Sequence, residues 1–265
     1  MTAAELARRG GLDRTVVSKV EAGERRAGLD TILKIMDELP IEDGGSEYRE
    51  LQRLARDGLA KGWWEQAEYA GMGERQARTA DLECGATIRE YQSSMLPGLL
   101  QTEAYARHRG QVTLGKGARF DVEATVRGRL RRQQQITGPD GSAYDVVLEP
   151  QAIWRLAVPR DVMREQLLHV LSLTTAANVT VRVLPVDARL GDGWVPRNPF
   201  AVYDYAEGDL TLVAVDTVST DLVITVPQQS ADYAQMFEVL RNAALSLKAS
   251  AELIQKAADA LAADA

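Results

Sequence analysis

Hydrophobic and polar positions in the first forty residues repeat with the period of short helices. The pattern predicts helices over 3–9, 13–21 and 30–39, with Thr2 and Asp13 as N-caps and glycine pairs or single glycines as breaks. In the second helix three valines form one apolar stripe: Val16, Val17 and Val20. We therefore expect this part of the chain to be a small bundle of amphipathic helices.

Beyond a hinge at 41–46, helical spacing continues to about residue 136, and the pattern then changes to the alternation typical of strands. Further helices are predicted over 47–61, 75–92, 102–109, 122–135, 160–175 and 230–248, the last able to continue to Leu261. Strands are predicted over 144–149, 179–186, 200–206, 210–217 and 222–226. An α+β fold follows, with an all-α N-terminal part and a later mixed α/β domain.

This pattern divides the chain into three segments. Residues 1–40 are expected to form a small all-helical segment, and residues 41–60 a linker helix. Residues 61–265 form a C-terminal sensor or interaction domain, helical over 61–136 and α/β over 143–265.

Charge narrows the expected partners. The net charge is −7, which argues against a protein that coats nucleic acid with its whole surface. Residues 1–28 nevertheless hold six basic and four acidic side chains, so a small basic face for DNA remains. No apolar run is long enough for a membrane span and there is a single cysteine, so a cytoplasmic protein is expected.

The polar side of helix 13–21 has the residue types of a DNA-recognition helix. Arg14, Thr15, Ser18 and Lys19 lie opposite the valine stripe, where their donors can contact base edges and phosphates in duplex DNA. Thr2 can donate to a phosphate, and Arg25 with Arg26 can hold the backbone after the turn. The alternative is a solvated basic face on an ordinary helical hairpin.

The string AELARRGGLDRTVVSKVEAGERR resembles the Xre-type helix-turn-helix of phage repressor relatives. The resemblance implies that the four polar residues of helix 13–21 contact bases or phosphates. Ala3 and Gly10 depart from the family pattern, and the first helix is missing. Residues 1–40 would then be a truncated helix-turn-helix, and three explanations for its missing first helix stay open. Met1 can be an internal start, another part of the chain can pack where the first helix would, or the module can be vestigial.

From residue 61 the chain resembles the C-terminal domain of actinobacterial Xre-type regulators, the antitoxin-like or WhiJ-like group. KGWWEQ at 61–66, LECGATIREYQSSMLPGLLQTEAYAR at 82–107 and YDVVLEPQAIWR at 144–155 carry this resemblance. It implies a transcriptional regulator, usually accompanied by a small companion protein. Asp216 stands where the family commonly has glutamate, so the role of that acid is altered here.

Four further side chains are candidates for ligand or partner binding. Trp63 and Trp64 can stack on a ligand or lock one domain to the next, and Trp194 sits in a loop at 189–200 with the shape of a pocket lip. Arg131 belongs to the basic run Arg127, Arg129, Arg131 and Arg132, in which residues three or four apart share a helix face. That run can bind a phosphate, an acidic partner or DNA, or form a solvated surface.

We find no catalytic motif, no metal-ligand spacing and no cofactor fingerprint. His108 and His169 lack triad partners, and Cys84 is expected to be a buried helical thiol. Two functions remain, besides a module that only binds other proteins in the manner of an antitoxin. The first is an Xre-class regulator that binds operator DNA, as a homodimer, and senses a small molecule or companion protein. The alternative is a repurposed protein that no longer binds DNA and binds or transforms a secondary metabolite without a cofactor.

Overall fold

A computed structural model of the chain describes residues 2–21, 27–41, 45, 48–49, 51–52, 55, 62–69, 71–111, 121–138, 141–191, 193–206, 210–217 and 221–262. The chain forms two compact units, Met1–Trp63 and Trp64–Ala265. Among the described residues, no helix has both the length and the apolar character that a membrane crossing requires.

The N-terminal unit contains helices α1 (Ala3–Arg9), α2 (Arg14–Glu21) and α3 (Leu29–Met36), and the described residues 48–49, 51–52 and 55 are also helical. Thr2 Oγ1 accepts a hydrogen bond from Glu5 N at 3.3 Å, and Asp13 Oδ1 accepts from Thr15 N at 2.7 Å. Both side chains satisfy backbone donors that a helix start leaves unpaired. The predicted N-caps are therefore confirmed.

A small apolar core joins these helices. Leu6, Ala7 and Val17 are buried, and Ile35 packs against them. A Cβ atom on Gly10 would lie 3.2 Å from the carbonyl oxygen of Lys34, so the backbone at the end of α3 occupies the space of a side chain at that position. This close approach accounts for the glycine at position 10.

The C-terminal unit is built on a six-stranded sheet in the order β3-β2-β1-β4-β5-β6. Its strands are β1 (Ala86–Gln92), β2 (Tyr144–Leu148), β3 (Val179–Val183), β4 (Phe200–Tyr205), β5 (Leu210–Asp216) and β6 (Asp221–Ile224). The first three strands are parallel, whereas β4, β5 and β6 continue the sheet as antiparallel neighbours. The expected α+β class is confirmed.

Helices cover both faces of this sheet. They are α4 (Glu74–Glu83), α5 (Glu103–Gln111), α6 (Val122–Thr137), α7 (Pro150–Trp154), α8 (Arg160–Leu173), α9 (Pro227–Ala243) and α10 (Leu247–Ala262), with short 3₁₀ turns at Trp63–Glu65, Ala67–Tyr69 and Gly98–Leu100. One apolar cluster includes Ile88, Leu167 and Ile254, and the other includes Val202 and Phe237. The sheet is therefore the middle layer of the unit.

Two predicted helices are wrong. The segment 75–92 is helical only to Glu83; Gly85 has φ +73°, and β1 follows. The predicted helix 230–248 is interrupted after Ala243, where Leu245 N donates to Val183 O at 2.9 Å and links the chain to β3. A left-handed glycine in one case and a tertiary hydrogen bond in the other end the helical run.

Cys84 corrects a further expectation. It follows α4 as the C-cap residue and is exposed, not a buried helical thiol. Burial of its surroundings still raises the pKa of the thiol, with Asp81 adding to the effect. A raised pKa reduces the thiolate fraction, so the site does not have the chemistry of an activated nucleophile.

Candidate DNA interface and ligand cavity

Helix α2 has one polar, exposed face, and its opposite face is held in the small core by the buried Val17. Val17 is completely buried, whereas Arg14, Thr15, Ser18 and Lys19 are exposed. No described residue forms an ion pair with Arg14 or Lys19. Both cations are therefore available to an anionic partner such as the DNA backbone.

The remaining predicted DNA contacts are placed differently. Thr2 is exposed at the start of α1, where its hydroxyl oxygen accepts the cap bond and its O–H remains able to donate. Arg25 and Arg26 fall outside the described residues. Arg9, on α1, is held by Glu38, with Nε 2.7 Å from Oε2.

The C-terminal unit contains a cavity of about 590 Å³ beside the ends of β1, β4 and β5. Its wall is completed by α4, α6 and the turn at 95–101. The charged and amide side chains in this wall are Glu74, Arg75, Gln76, Glu83, Glu90, Gln92, Gln101, Arg129, Arg132, Asp216 and Asp221. Burying a polar side chain costs free energy unless the side chain has a hydrogen-bond or ion-pair partner, so a wall with this many polar groups calls for an account of their partners.

An ion pair spans the deep wall. Arg132 Nε donates to Glu83 Oε2 at 2.7 Å, and Arg132 Nη2 also donates to Glu83 Oε1. The two side chains are 8% and 3% exposed, respectively. This two-point geometry uses the planar fork of arginine fully and fixes α6 against the end of α4.

A chain of hydrogen bonds links two further carboxylates. Gln92 Nε2 lies 2.9 Å from Glu90 Oε1 and 3.4 Å from Asp216 Oδ2, and the hydroxyl of Tyr144 donates to Glu90 Oε2 at 2.5 Å. Alternation along β1 puts Glu90 and Gln92 on the same side as Ile88. Two carboxylates thus meet around one neutral amide.

Both carboxylates bind a proton more tightly than usual. Burial raises the pKa of Glu90 from 4.5 to about 7, against the opposing effect of its hydrogen bonds. Burial, reinforced by Asp221, also raises the pKa of Asp216. Near neutral pH, Glu90 therefore exchanges between a donor and an acceptor form.

The facing wall carries a cation without a carboxylate at ion-pair distance among the described residues. Arg129 Nη1 donates to Gln101 Oε1 at 2.6 Å, while its buried Nε has no described hydrogen-bond partner. Burial, followed by repulsion from Arg132, lowers the pKa of Arg129 to about 10. This guanidinium remains charged at neutral pH.

Arg75 lies at the opening of the cavity, where it contacts two carboxylates. Its Nε donates to Asp221 Oδ2 at 2.8 Å, and its Nη2 lies 3.7 Å from Asp216 Oδ1. Asp221 is 8% exposed, whereas Arg75 and Asp216 are about half exposed. Asp216 is therefore partly exposed to solvent at the opening, whereas Asp221 is buried behind it.

Of the predicted ligand or partner residues, Asp216 lies in the large cavity. Trp194 instead lines two other clefts, of about 390 and 460 Å³, beside the loop at 189–196. Arg131 is exposed and bonds Gln134 on its own helix. Trp63 and Trp64 lie in the 3₁₀ turn Trp63–Glu65, each partly buried. These four do not share the large cavity.

Sequence reasoning missed most of the cavity. The helix predicted over 75–92 hides the strand that carries Glu90 and Gln92, and the correctly predicted end of α4 gives no sign of the partner of Glu83. Arg129 and Arg132 were paired on one helix face, but nothing in the sequence places that face against α4. The alternation of Ala86, Ile88, Glu90 and Gln92 is the signal that could have revealed a strand with a polar end.

Comparison with known families matches both parts of the chain. Residues 76–256 match a domain of unknown function, DUF5753, over more than half of the chain, and residues 1–43 match a helix-turn-helix family. Comparisons with curated proteins and with solved structures found no match. The N-terminal residues are similar to a helix-turn-helix, and the chain belongs to the DUF5753 family.

Proposed function

We propose that this protein is a cytoplasmic transcriptional regulator that binds operator DNA through α2 and a small-molecule effector in the large cavity. The observation that carries the proposal is the exposed polar face of α2 above the buried Val17. The helix-turn-helix match supports the same function. The cavity of about 590 Å³ in the C-terminal unit supports the second part of the proposal, the binding of a small-molecule effector.

The dimensions of α2 suit the major groove. Its eight residues span roughly 12 Å at the rise of an α-helix, comparable with the width of the groove. Arg14 and Lys19, five residues apart, would contact phosphates or guanine edges, and Thr15 and Ser18 would contact bases between them. Thr2, Arg25 and Arg26 would add backbone contacts.

The protein would bind DNA as a homodimer, because one recognition helix contacts too few base pairs to specify an operator. A single recognition helix contacts only a few base pairs, and helix-turn-helix proteins extend their sites by placing two subunits about one DNA turn apart. The operator would then be an inverted repeat. A small companion protein is the other effector that the family resemblance implies, but a concave cavity lined by polar side chains favours a small molecule.

The DNA part is tested by a mobility-shift assay on the DNA upstream of the protein's own coding sequence. Wild-type protein should shift a specific fragment, and the variant R14A/K19A should not. The double variant K248A/K256A, which removes two exposed cations from α10, is the matched control and should bind like wild type. Equal binding by wild type and R14A/K19A, or no binding by either, would refute DNA recognition through α2.

A further inference from the structure

The cavity presents a carboxylate and a guanidinium that lack an oppositely charged partner in the described structure. We propose that its ligand is a zwitterion, whose protonated amine is bound by Glu90 and Asp216 and whose acidic oxygen group is bound by Arg129 and Arg132. This inference rests on the proposed function, because it assumes that the cavity binds a small molecule.

The amine side is defined by Glu90. Its two oxygens accept only from neutral donors, the Tyr144 hydroxyl and the Gln92 amide, and no described cation lies at ion-pair distance from it. Asp216 contacts the same amide, and its one described cation, Arg75, is 3.7 Å away and shared with Asp221. A ligand ammonium would supply the missing positive charge and donate to both carboxylates.

The acid side is defined by two guanidinium groups that converge on one glycine. A Cβ atom on Gly98 would lie 3.5 Å from both Nη1 and Nη2 of Arg132 and 3.7 Å from Nε of Arg129. Glu83 uses Nε and Nη2 of Arg132, which leaves Nη1 without a described acceptor, and Nε of Arg129 is buried without one. Two like charges this close are stabilised by an anion between them.

A third orphan group belongs to the same wall. Gln76 is 7% exposed and donates through Nε2 to Thr125 O at 2.7 Å, while its Oε1 is buried without a described partner. A buried acceptor of this kind costs free energy unless something donates to it. A further N–H or O–H of the ligand would satisfy it.

The rest of the lining limits the size and body of the ligand. Met95, Leu96 and Phe200 give the cavity apolar walls, and a volume of about 590 Å³ accommodates a metabolite larger than a simple amino acid. The ligand class is therefore an amine-bearing acid with an apolar body.

The test uses the full chain and matched sets of compounds that differ only in charge. Each set contains a free amino acid or dipeptide, its N-acetyl derivative, its C-terminal amide and its N-acetyl amide; phenylalanine, leucine and dipeptides of the two supply the scaffolds. Isothermal titration calorimetry gives the affinity of each compound. For at least one scaffold, the zwitterion should bind roughly tenfold or more tightly than either singly charged derivative, because each charged hydrogen bond is made in a buried site.

Two variants assign the charges to residues. R129Q should reduce the advantage of the free carboxylate over its amide, because Arg132 alone is then left to bind the acid. E90Q should reduce the advantage of the free amine over its N-acetyl derivative, because Asp216 alone is then left to bind the amine. R131Q on the exposed side of α6 and E165Q on the exposed side of α8 are the matched controls and should bind like wild type.

The outcomes separate this inference from the proposed function. If no zwitterion binds, or if neutral derivatives bind as tightly, the ligand class is wrong, whether or not operator DNA is bound. If zwitterions bind as predicted but the wild-type protein binds no DNA, the ligand class stands and the regulator function fails. Retention of the full zwitterion preference in R129Q and E90Q would also overturn the inference.

Discussion

Glu83 and Arg132 face each other in a two-point contact that joins the end of α4 to α6 across 49 residues of sequence. Arg132 Nε lies 2.7 Å from Glu83 Oε2, and both side chains are less than one-tenth exposed. Because Arg129 lies one turn earlier on α6, the same contact holds Arg129 against the cavity. A structural ion pair thus orients a candidate ligand-binding residue.

Removing one member of this pair should destabilise the C-terminal unit strongly. R132M leaves Glu83 buried without its cation, and we expect the free energy of unfolding to fall by about 3–5 kcal/mol. The double variant E83L/R132M should recover much of this loss, because neither charge is then left unpaired. Denaturant unfolding of E83L, R132M and E83L/R132M measures the interaction free energy between Glu83 and Arg132.

R131M is the control for this series, since it removes an exposed arginine from the same helix. It should change stability by less than about 0.5 kcal/mol, as surface substitutions usually do. A loss in R132M no larger than that in R131M would show that the buried pair does not stabilise the unit.

Glu90 should make stability depend on pH. Burial raises its pKa in the folded protein from 4.5 to about 7, so the folded state binds this proton more tightly than the unfolded chain does. The contribution of Glu90 is therefore most favourable below pH 4.5 and is lost as the pH rises to about 7, by an amount on the order of 3 kcal/mol. Unfolding free energies of the wild type and E90Q, measured from pH 4.5 to 8, test this expectation.

E90Q has no titrating group at this position, so its advantage over wild type should grow across that pH interval. E165Q removes an exposed carboxylate from α8 and should follow the wild-type curve. Parallel curves for the wild type and E90Q would mean that Glu90 titrates normally in the folded protein.

The strands that the sequence predicts well are those in which β-branched and aromatic residues outnumber charged ones at least two to one. Strands β2 to β5 lie within predicted strands and β6 begins one residue before its predicted range, because their β-branched residues alternate around a buried face. The central strand β1 was missed. It carries Arg89, which pairs with Asp204 and Glu238, and Glu90 with Gln92, which line the cavity, so its pattern does not look like that of a buried strand.

The same reason explains why the cavity could not be predicted. Its charged residues come from α4, β1, β5, β6 and α6, and only the tertiary fold brings Glu83 to Arg132 or Gln92 to Asp216. The α2 face, by contrast, lies within eight consecutive residues and follows from helical periodicity alone. Local patterns are visible in one sequence; assembled sites are not.

Gly128 on α6 should tolerate no side chain. A Cβ atom there would overlap Met72 Sδ and lie 2.7 Å from Gln76 Nε2, and both of these residues line the cavity. We expect G128A to lower the free energy of unfolding by about 1–3 kcal/mol through overpacking, despite the higher helix propensity of alanine. Thermal or denaturant unfolding measures the change.

Gly110 on α5 is the matched comparison, because it is also a helical glycine. Among the described residues, a Cβ atom there meets Val122 Cγ1 alone, at 3.3 Å, which is the end of a side chain. G110A should therefore be close to neutral or slightly stabilising. If G128A were as stable as G110A, the close packing of α6 against Met72 and Gln76 would be wrong.

The salt dependence of DNA binding should identify the role of the two cations on α2. Each phosphate contact that a protein makes releases counterions and contributes about 0.9 to the slope of log affinity against log salt concentration. If Arg14 and Lys19 both contact phosphates, R14A/K19A should lower the magnitude of that slope by about 2 on DNA of any sequence. If one of them contacts a guanine edge instead, the slope should fall by about 1 and discrimination between operator and unrelated DNA should also weaken.

The variant K248A/K256A controls for the loss of two positive charges, because these lysines lie on α10. A slope that falls equally in both double variants would show a long-range charge effect, and contact of α2 with the DNA backbone would then be excluded.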